Sequence, residues 1–348
     1  RCVRQLADRG SIWLIQLPVL LIFTKTNFLL YSILKRIARS ALPIFCRKII
    51  INKPEILKIK GPVLLACNHP NSFLDSIIID TLFKEDVWSL ARGDAFKKPF
   101  LKILAALKIL PVYRPSEGVE NLSENYKTFD ACIEILKSNG VITIFSEGKC
   151  INEWHLRPLK KGTARLAIKA WEENIPLTVI PVGLNYSSYT RFGKNVFINF
   201  GEPIEKEHLN FNAADGLRHQ EFNNLLQQEL EQSVFEIPKK DKQKQKEQLE
   251  IDPSLLKKIL LIIPSIIGYL IHLPLYLPIK KYIWKRTSNN DHYDSIMAGI
   301  IMLSYPFYLI LLITIVWNVT ACWWAVGLLI ILPFTAWSYI QLKPQLDK

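Results

Sequence analysis

The stretch that decides the fold is residues 63–79, VLLACNHPNSFLDSIII. Its first five residues form an apolar run typical of a buried strand, and its last four form a second apolar run. The nine residues from 67 to 75, CNHPNSFLD, join the two runs and contain His69 and Asp75. Loops that follow strands are the usual place for a ligand in α/β folds. The stretch therefore predicts a strand, a polar loop and a helix.

Outward from this stretch, short apolar runs alternate with helical patterns. The helical patterns cover residues 119–139, 161–174 and 216–235. Alternation of this kind predicts an α/β fold, with a mostly parallel sheet flanked by helices. The strand-like runs are Val63–Cys67, Val87–Ala91, Ile109–Tyr113, Val141–Phe145, Thr178–Leu184 and Val196–Phe200.

The last third of the chain predicts C-terminal α-helical transmembrane segments. Residues 259–279 contain no charged side chain over 21 positions, and residues 296–340 contain none over 45. Because about 20 apolar residues cross a bilayer, the longer run predicts two passes with a break at 318–320. Both ends of the shorter run carry lysines, which favour the cytoplasmic side. That run is therefore either a single span, or a re-entrant or surface-lying element that leaves both flanks inside.

The chain divides into four predicted regions. Residues 28–45 combine helical apolar spacing with a basic face, which suits either a helix on an anionic membrane or a helix packed on the domain. Residue 1 is Arg rather than Met, so the native start stays open. The regions are a membrane-associating segment at 1–50, an α/β domain at 51–236, a charged linker at 237–256 that is either a linker or a solvated helix, and a transmembrane region at 257–348.

Charge and composition narrow the range of partners. The 348 residues carry 44 Lys and Arg against 31 Asp and Glu, and the net charge of +13 favours an anionic partner. The nine Trp favour membrane lipids over nucleic acid. Six cysteines without paired spacing indicate reduced thiols that face the cytosol. We expect an integral protein of a bacterial plasma membrane, with its active site facing the cytoplasm and no nucleic-acid partner.

His69 is the candidate catalytic base. Imidazole is the side chain most readily tuned to accept a proton near neutral pH. A carboxylate such as Asp75 can hold the other ring N–H and stabilise the imidazolium. A structural alternative stays open, because Ser72-x-x-Asp75 is also a capping box with Ser72 as the N-cap. In that case His69 is a plain loop residue.

Further candidate residues lie at the ends of strand-like runs or inside them. An arginine there suits bidentate recognition of phosphate, and a proline within a strand predicts an edge or a bulge. Each feature alone also fits a turn or a surface residue. The candidates are Arg114 after one run, Glu147, Gly148 and Lys149 after another, and Pro181 within a third.

Other enzyme classes lack their residues in this sequence. There is no G-x-S-x-G elbow for a serine hydrolase. Gly148-Lys149 lacks both the upstream Gly and the following Ser or Thr of a P-loop. The six histidines form no H-E-x-x-H and no paired zinc ligands, so we expect no metal.

Taken in order, the candidate residues resemble the glycerolipid acyltransferases, the family of glycerol-3-phosphate and 1-acyl-sn-glycerol-3-phosphate acyltransferases. That family has an N-H-x4-D block, a strand ending in Arg, an F-x-E-G-T-R block and a V-I-P-V strand. The resemblance covers about residues 60–205. The matching positions are Asn68-His69 with Asp75, Arg114, Phe145-x-Glu147-Gly148, and Val179-Ile180-Pro181-Val182.

The spacing of the first block departs from the family. His69 and Asp75 have five residues between them, where the family has four. The extra residue falls at Pro70-Asn71, before the predicted helix start, where a loop can absorb it. We therefore keep the His–Asp pair.

The third block also departs from the family. Its T-R after E-G is Lys149-Cys150 here, so a phosphate-binding arginine is missing. A lysine lacks the guanidinium fork, which leaves the acceptor more open than the reaction. The cations that could supply the charge are Lys149, Arg157, Lys160 and Lys161.

The resemblance implies a membrane-bound O-acyltransferase with acyl-CoA or acyl carrier protein as co-substrate and no cofactor. The implied acceptor is a glycerol hydroxyl of a lysophospholipid, with 1-acyl-sn-glycerol-3-phosphate the one we expect. Alternatives are glycerol-3-phosphate or another lipid acceptor, or a non-catalytic lipid-binding membrane protein on the same fold. Acyl chain length, sn-position and oligomeric state stay open. The implied catalytic residues are His69 and Asp75, and the implied substrate-binding residues are Asn68, Arg114, Glu147, Gly148 and Lys149.

Overall fold

A seven-stranded sheet forms the centre of the fold. The computed structural model describes residues 25–93, 96, 101–113 and 124–347. The strands are β1 (Cys46–Ile51), β2 (Val63–Cys67), β3 (Val87–Arg92), β4 (Ile109–Val112), β5 (Val141–Phe145), β6 (Thr178–Tyr186) and β7 (Lys194–Phe200).

The sheet is mostly parallel, as the alternating pattern predicts. Its strand order is β1-β7-β6-β2-β5-β3-β4, and the β6–β7 pair alone is antiparallel among these neighbours. Cys67 at the end of β2 pairs with Phe145 at the end of β5. The polar loops that follow these two strands therefore begin side by side at the carboxyl edge of the sheet.

Strand β1 is a difference from the sequence prediction, which places residues 46–50 in the N-terminal segment. The strand pairs in parallel with β7, from Cys46 with Lys194 to Ile51 with Ile198. Its sequence, CRKIII, follows a basic helical pattern without a break. These residues leave the helix and become a strand because they pair with β7, which lies about 150 residues later in the sequence.

Helices cover both faces of the sheet. Alternate residues of β2 enter two cores: Leu64 and Ala66 lie in one, and Val63, Leu65 and Cys67 lie in the other. Period-two alternation with both faces buried explains why the strand is apolar throughout. The helices of this part are α1 (Lys25–Phe45), α2 (Ser72–Leu82), α3 (Leu101–Ala106), α4 (Glu124–Lys137), α5 (Gly162–Glu172) and α6 (Asp215–Ser233).

Helix α1 packs its basic face on the domain. The ammonium of Lys35 lies 3.2 Å from the carboxylate of Asp80, and the guanidinium of Arg39 donates to the carbonyl of Thr81 at 2.8 Å. These contacts are those of a helix packed on the domain, one of the two alternatives that the sequence leaves open for residues 28–45. The exposed face is apolar instead and carries Leu29, Leu30, Ile33 and Ile37.

Residues 237–256, predicted to be a linker or a solvated helix, are exposed to solvent at most positions. They contain helix α7 (Lys242–Leu249), whose first turn is capped by the Asp241 carboxylate accepting from the Lys244 N–H at 2.9 Å. Ile237 and Leu249 are buried in the core of the domain. Because both of these apolar side chains are buried, the segment packs on the domain although it contains few apolar residues.

Three further helices account for the apolar last third: α8 (Leu255–Thr287), α9 (Tyr293–Thr320) and α10 (Leu328–Leu342), the last preceded by a 3-10 turn from Trp323 to Gly327. Among the described residues, Leu255–Thr287, Tyr293–Thr320 and Trp323–Leu342 are long and apolar enough to cross a membrane. Helix α9 ends at Thr320, the last residue of the predicted break.

Candidate active site

His69 and Asp75 meet at the carboxyl end of β2. His69 lies on the loop of residues 68–71, named here the His69 loop, and Asp75 lies in the first turn of α2. The Nδ1 atom of His69 is 2.8 Å from Oδ2 of Asp75. The Asp75 side chain is fully buried, whereas 18% of the His69 side chain is exposed. The carboxylate is thus held inside the protein while the imidazole reaches the surface.

The orientation of Asp75 is set by two further donors. The Tyr186 hydroxyl donates to Oδ1 at 2.6 Å, and the Asn71 backbone N–H donates to Oδ2 at 2.8 Å. Burial raises the pKa of Tyr186, so its phenol stays protonated and donates. A buried carboxylate that accepts several hydrogen bonds keeps a single orientation.

The capping box that the sequence also allowed does not form. The N-cap position is Asn71, and no side chain caps the helix there. The Ser72 hydroxyl lies 2.7 Å from Nδ1 of His292, on the chain between α8 and α9, instead of bonding to its own helix. Ser72 has a φ of 51°, in the left-handed region that a serine seldom adopts. These contacts free Asp75 to bond His69.

The imidazole of His69 is fixed by stacking as well. Its ring centroid lies 3.9 Å from that of Phe145, with 20° between the planes. The Asp75 contact occupies Nδ1, so Nε2 is the ring nitrogen left to act on a substrate proton. This arrangement is that of a general base with an orienting carboxylate.

Glu147 braces the same loop from the end of β5. Its carboxylate accepts the His69 backbone N–H at 2.8 Å and the Arg157 backbone N–H at 2.9 Å. The Arg157 guanidinium lies 3.0 Å from the same carboxylate. Because Glu147 is buried and all these donors converge on it, it holds His69 and Arg157 close to one another.

Arg157 stands out as a functional candidate that the sequence offered only among four cations. Its guanidinium also donates to the carbonyl of Lys149. The side chain is 15% exposed, so it combines a fixed position with a surface that a ligand can reach. In the sequence, Arg157 is simply a positive charge ten residues after Glu147. Its spacing does not distinguish it from the nearby lysines.

The Glu147–Cys150 segment makes a tight turn. Gly148 has a φ of +67°, and a Cβ atom there would lie 3.1 Å from the Lys160 side chain. Glycine adopts this conformation without strain. Lys149 is exposed. Cys150, where the family pattern has Arg, accepts the Ser72 N–H on its sulfur at 3.0 Å, and burial raises the pKa of its thiol.

Asn68, a predicted binding residue, stands apart from this cluster. Asn68 is buried and bonds the backbone of β6: its Nδ2 donates to the Leu184 carbonyl at 3.0 Å, and its Oδ1 accepts the Leu184 N–H at 2.7 Å. Both polar atoms of the amide are thereby used within the protein, so Asn68 holds the loop and does not face a substrate. Arg114 lies outside the described residues.

The first turn of α9 also supports the His69 loop. The Asn71 side-chain amide donates to the Asp294 carboxylate at 2.7 Å, and the Ser295 hydroxyl donates to the Asn71 carbonyl at 2.9 Å. The Lys194 ammonium pairs with Asp294 in the interior. Nothing in the local sequence linked these residues to the site, since they lie more than 200 positions after the loop.

Comparison with known proteins finds similarity to acyltransferases over this domain. The acyltransferase family model matches residues 48–185. Glycerol-3-phosphate O-acyltransferase 2 of Saccharomyces cerevisiae is 26% identical over 166 residues, which are 44% of this chain and 22% of that protein. Glycerol-3-phosphate O-acyltransferase 1 of the same yeast is 29% identical over 119 residues, 34% of this chain and 15% of that protein. The chain thus matches less than a quarter of the length of either relative.

A solved structure is also similar. The crystal structure of the 1-acyl-sn-glycerophosphate acyltransferase PlsC from Thermotoga maritima aligns with a TM-score of 0.43 at 13% identity, covering 65% of this chain and 90% of that one. The family match over residues 48–185 includes the His69 loop, Asp75 and Glu147. The domain at residues 48–185 is thus similar to the acyltransferase family, and its matched yeast relatives are glycerol-3-phosphate O-acyltransferases.

Proposed function

We propose that the protein is a membrane-bound O-acyltransferase that moves an acyl group from a thioester to a glycerol hydroxyl of a phosphate-bearing acceptor. The observation that carries this proposal is the 2.8 Å contact between His69 Nδ1 and the buried carboxylate of Asp75. It leaves Nε2 of a partly exposed imidazole free to take a proton.

The reaction needs no covalent enzyme intermediate. Nε2 of His69 takes the proton from the acceptor hydroxyl as its oxygen attacks the thioester carbonyl carbon. Asp75 stabilises the imidazolium that forms. The tetrahedral oxyanion collapses, the carbon–sulfur bond breaks, and the departing thiolate takes the proton from the imidazolium. The products are an ester and a free thiol, so atoms and charge balance. No cofactor takes part.

The acceptor phosphate is assigned to the cations beside this pair. Arg157 is held by Glu147, which also holds the His69 backbone. A guanidinium can bind a phosphate with two parallel hydrogen bonds. Lys149 and Arg114 are the further cations that we assign to this role, as the family resemblance implies.

The acceptor we favour is 1-acyl-sn-glycerol-3-phosphate, with acyl-CoA or acyl carrier protein as donor. Glycerol-3-phosphate is the second candidate, because both matched yeast relatives are named glycerol-3-phosphate O-acyltransferases. Both acceptors present a phosphate and a free glycerol hydroxyl, so the His69 chemistry serves either one.

Membrane attachment is part of the proposal. The lysophospholipid acceptor and its product both partition into a bilayer, and α8–α10 expose apolar side chains along most of their length. We place the active site on the cytoplasmic side, because the cations that flank α8 favour that side.

The test is thiol release by the purified full chain. The protein in detergent receives an acyl-CoA with each acceptor in turn, and a thiol reagent follows turnover. We expect release with wild type and its loss in His69→Ala. His155→Ala is the matched control, since His155 is exposed and pairs with Glu236. Equal release by wild type and His69→Ala contradicts the mechanism, and no release by either supports the non-catalytic alternative.

A further inference from the structure

The end of the chain returns to the domain from which the apolar helices depart. The Ser188 hydroxyl donates to the Asp347 carboxylate at 2.6 Å, and the Tyr189 backbone N–H donates to it at 3.1 Å. Gln345 is buried and accepts the Ile251 backbone N–H at 2.8 Å. The residues after α10 are therefore anchored on the loop that follows β6 and on the segment that leads into α8.

The first end of α8 lies on the same domain. Just before the helix, the Ile251 carbonyl accepts from the Arg47 guanidinium of β1 at 3.0 Å. In its first turn, the Lys257 ammonium donates to the Gln341 side chain at 2.6 Å, and Gln341 donates to the Arg47 carbonyl at 3.3 Å. The entrance of α8 and the exit of α10 thus share one site on the sheet.

The second end of α8 lies on the domain as well. Four residues after the helix, the Asp291 carboxylate accepts the Asn152 backbone N–H at 3.0 Å. Asp294, at the start of α9, pairs with Lys194 at the start of β7. Tyr276, within the second half of α8, packs its ring 6.2 Å from that of Phe192, two residues before Lys194.

These contacts set a parity condition on membrane crossing. A chain that leaves a domain and returns to it on the same side of a bilayer crosses an even number of times. Three helices here are long and apolar enough to cross, and three crossings would place residues 343–347 opposite the domain that binds them. At least one of the three helices therefore does not cross.

We infer that α8 is a re-entrant helix, which enters one leaflet of an anionic lipid bilayer from the domain's side and returns, while α9 and α10 cross as a hairpin. The chain segments immediately before and immediately after α8 both contact the domain. Helix α9 contacts the domain through its first turn, and α10 through its last residues. The inference rests on the membrane attachment in the proposed function. It goes beyond that function by assigning the surface through which the domain meets lipid.

The surface of α8 fits this partner. Cations lie at both ends of the helix, and lipid headgroups of one anionic leaflet would neutralise both sets only if both ends lie on the same side. The exposed apolar residues of α8 are Leu255, Leu256, Ile259, Leu260, Ile262, Ile263, Ile266, Ile267, Tyr269, Leu270, Leu277, Tyr282 and Trp284.

Packing against the hairpin supports α8 inside the lipid. A Cβ atom on Gly268 would lie 2.1 Å from the Thr335 carbonyl oxygen of α10, so the two backbones touch there. Nε2 of His272 lies 3.0 Å from the Tyr305 hydroxyl of α9. Close backbone contact at small residues and interhelical hydrogen bonds are the means by which helices associate in lipid.

The turn between α9 and α10 has the composition of the opposite interface. Trp323 and Trp324 are exposed there. Tryptophan settles at the boundary between water and lipid, and cations are kept from the far side. No charged residue occurs between 296 and 340. The turn therefore suits the leaflet far from the domain.

Cysteine accessibility in sealed vesicles of both orientations tests the inference. The background is the full chain with Cys2, Cys150 and Cys322 replaced by Ser. One exposed position then receives a cysteine: Lys258→Cys in the first turn of α8, Asn289→Cys just after α8, or Gln220→Cys on α6 as the reference for the domain. A fourth chain keeps Cys322 in the α9–α10 turn. A membrane-impermeant maleimide is added to each.

We expect cysteines at 220, 258 and 289 to react from the same face, and Cys322 to react from the opposite face. Reaction of positions 258 and 289 from opposite faces overturns the re-entrant assignment. Failure of Cys322 to react from the far face overturns the hairpin crossing. Recovery of the protein in the soluble fraction overturns both, together with membrane attachment.

The result is independent of catalysis. The same labels are applied to a His69→Ala chain, which we expect to give the same pattern. An inactive protein with this pattern leaves the topology intact and removes the proposed reaction. An active protein with positions 258 and 289 on opposite faces removes the topology and leaves the reaction intact.

Discussion

Asn71 joins the carboxylate of Asp75 to Asp294, a buried acid in the first turn of helix α9. Its backbone N–H donates to Asp75 at 2.8 Å, and its side-chain amide donates to Asp294 at 2.7 Å. Asn71 belongs to the pair that lengthens the His69 loop by one residue relative to the family pattern. The added residue thus ties the His69–Asp75 pair to helix α9, so this pair and α9 are held in one arrangement.

The first prediction concerns the buried ion pair behind this tie. Asp294→Asn leaves the ammonium of Lys194 buried without a countercharge, and we expect it to lower the free energy of unfolding by about 3–5 kcal/mol. Thermal unfolding in detergent measures the loss. The control is the double variant Asp294→Asn with Lys194→Met, which removes the unpaired charge and should recover part of the stability. A double variant less stable than the single one contradicts the pairing.

The second prediction separates the two members of the catalytic pair. We expect Asp75→Asn to lower kcat by about 10²- to 10⁴-fold, because an amide neither stabilises the imidazolium nor selects the Nδ1–H tautomer. Steady-state thiol release measures kcat, and thermal unfolding establishes that the variant is folded. Asp130→Asn, on the exposed surface of α4, serves as the matched control. A folded Asp75→Asn protein with unchanged kcat rules out the assigned role.

The third prediction concerns Tyr186, which orients Asp75. Tyr186→Phe removes the 2.6 Å hydrogen bond to Asp75 Oδ1 and leaves that oxygen buried without its donor. We expect a loss of about 1–3 kcal/mol in stability and about a tenfold fall in kcat/KM. Tyr189→Phe is the matched comparison, because the Tyr189 hydroxyl donates to the Glu153 carbonyl at 2.8 Å. Equal losses of activity in both variants would speak against a specific role for Tyr186.

The fourth prediction tests Arg157 as the phosphate ligand. We expect Arg157→Gln to raise KM for the phosphate acceptor at least about tenfold, because a hydrogen bond to a charged group contributes about 1.5–3 kcal/mol. KM for the acyl thioester should change little. Arg157→Lys should recover little, since lysine lacks the fork. Arg165→Gln, exposed on α5, is the control. An equal rise in both KM values would indicate a general distortion of the site.

The fifth prediction is a pH dependence of stability from Lys343. Burial lowers the pKa of Lys343 from 10.5 to about 7, with Arg191 and Lys194 adding to the effect. The unfolded side chain binds its proton up to its ordinary pKa, so unfolding takes up a proton between these two values. Stability should therefore rise with pH across this window, by at most about 1.4 kcal/mol per pH unit. Thermal unfolding from pH 7 to 10 measures the rise.

Lys343→Met provides the comparison for that pH series. The variant has no ammonium to lose, so its stability should be flatter over the same range and higher than that of wild type near pH 7. Lys343 also donates to the Phe192 carbonyl, and the loss of this bond should lower stability equally at all pH values. An identical slope in wild type and variant would contradict the assignment.

Much of the site was predictable from local pattern. The strands β2 and β5, the start of α2 and the residues His69, Asp75 and Glu147 follow from short apolar runs with polar residues at their ends, because a strand end and the loop after it are adjacent in sequence. The His–Asp pair is separated by six positions, so one loop and one helical turn determine its contact. The end of α9 at Thr320 is predictable for the same reason, because the polar residues that mark it are adjacent in sequence.

The supporting residues were not predictable in this way. Tyr186 lies 111 positions from Asp75, His292 lies 220 from Ser72, and Asp294 lies 223 from Asn71. Strand β1 was missed for the same reason, since its partner β7 is remote in sequence. Contacts at such separations arise only when sheet order and helix packing bring distant segments together, and no spacing rule contains that information.

By itself, the amino-acid sequence determined the alternation of strands and helices, the apolar helices, and the imidazole and carboxylate in one loop, because each of these depends on side chains close along the chain. Only the tertiary structure decided which groups hold that carboxylate, that Arg157 and the His69 backbone share Glu147, and that both ends of α8 contact the α/β domain. The physical reason is that burial and hydrogen bonding depend on distance in space and not on distance along the chain. Any donor that the fold brings within about 3 Å of an acceptor can form a hydrogen bond.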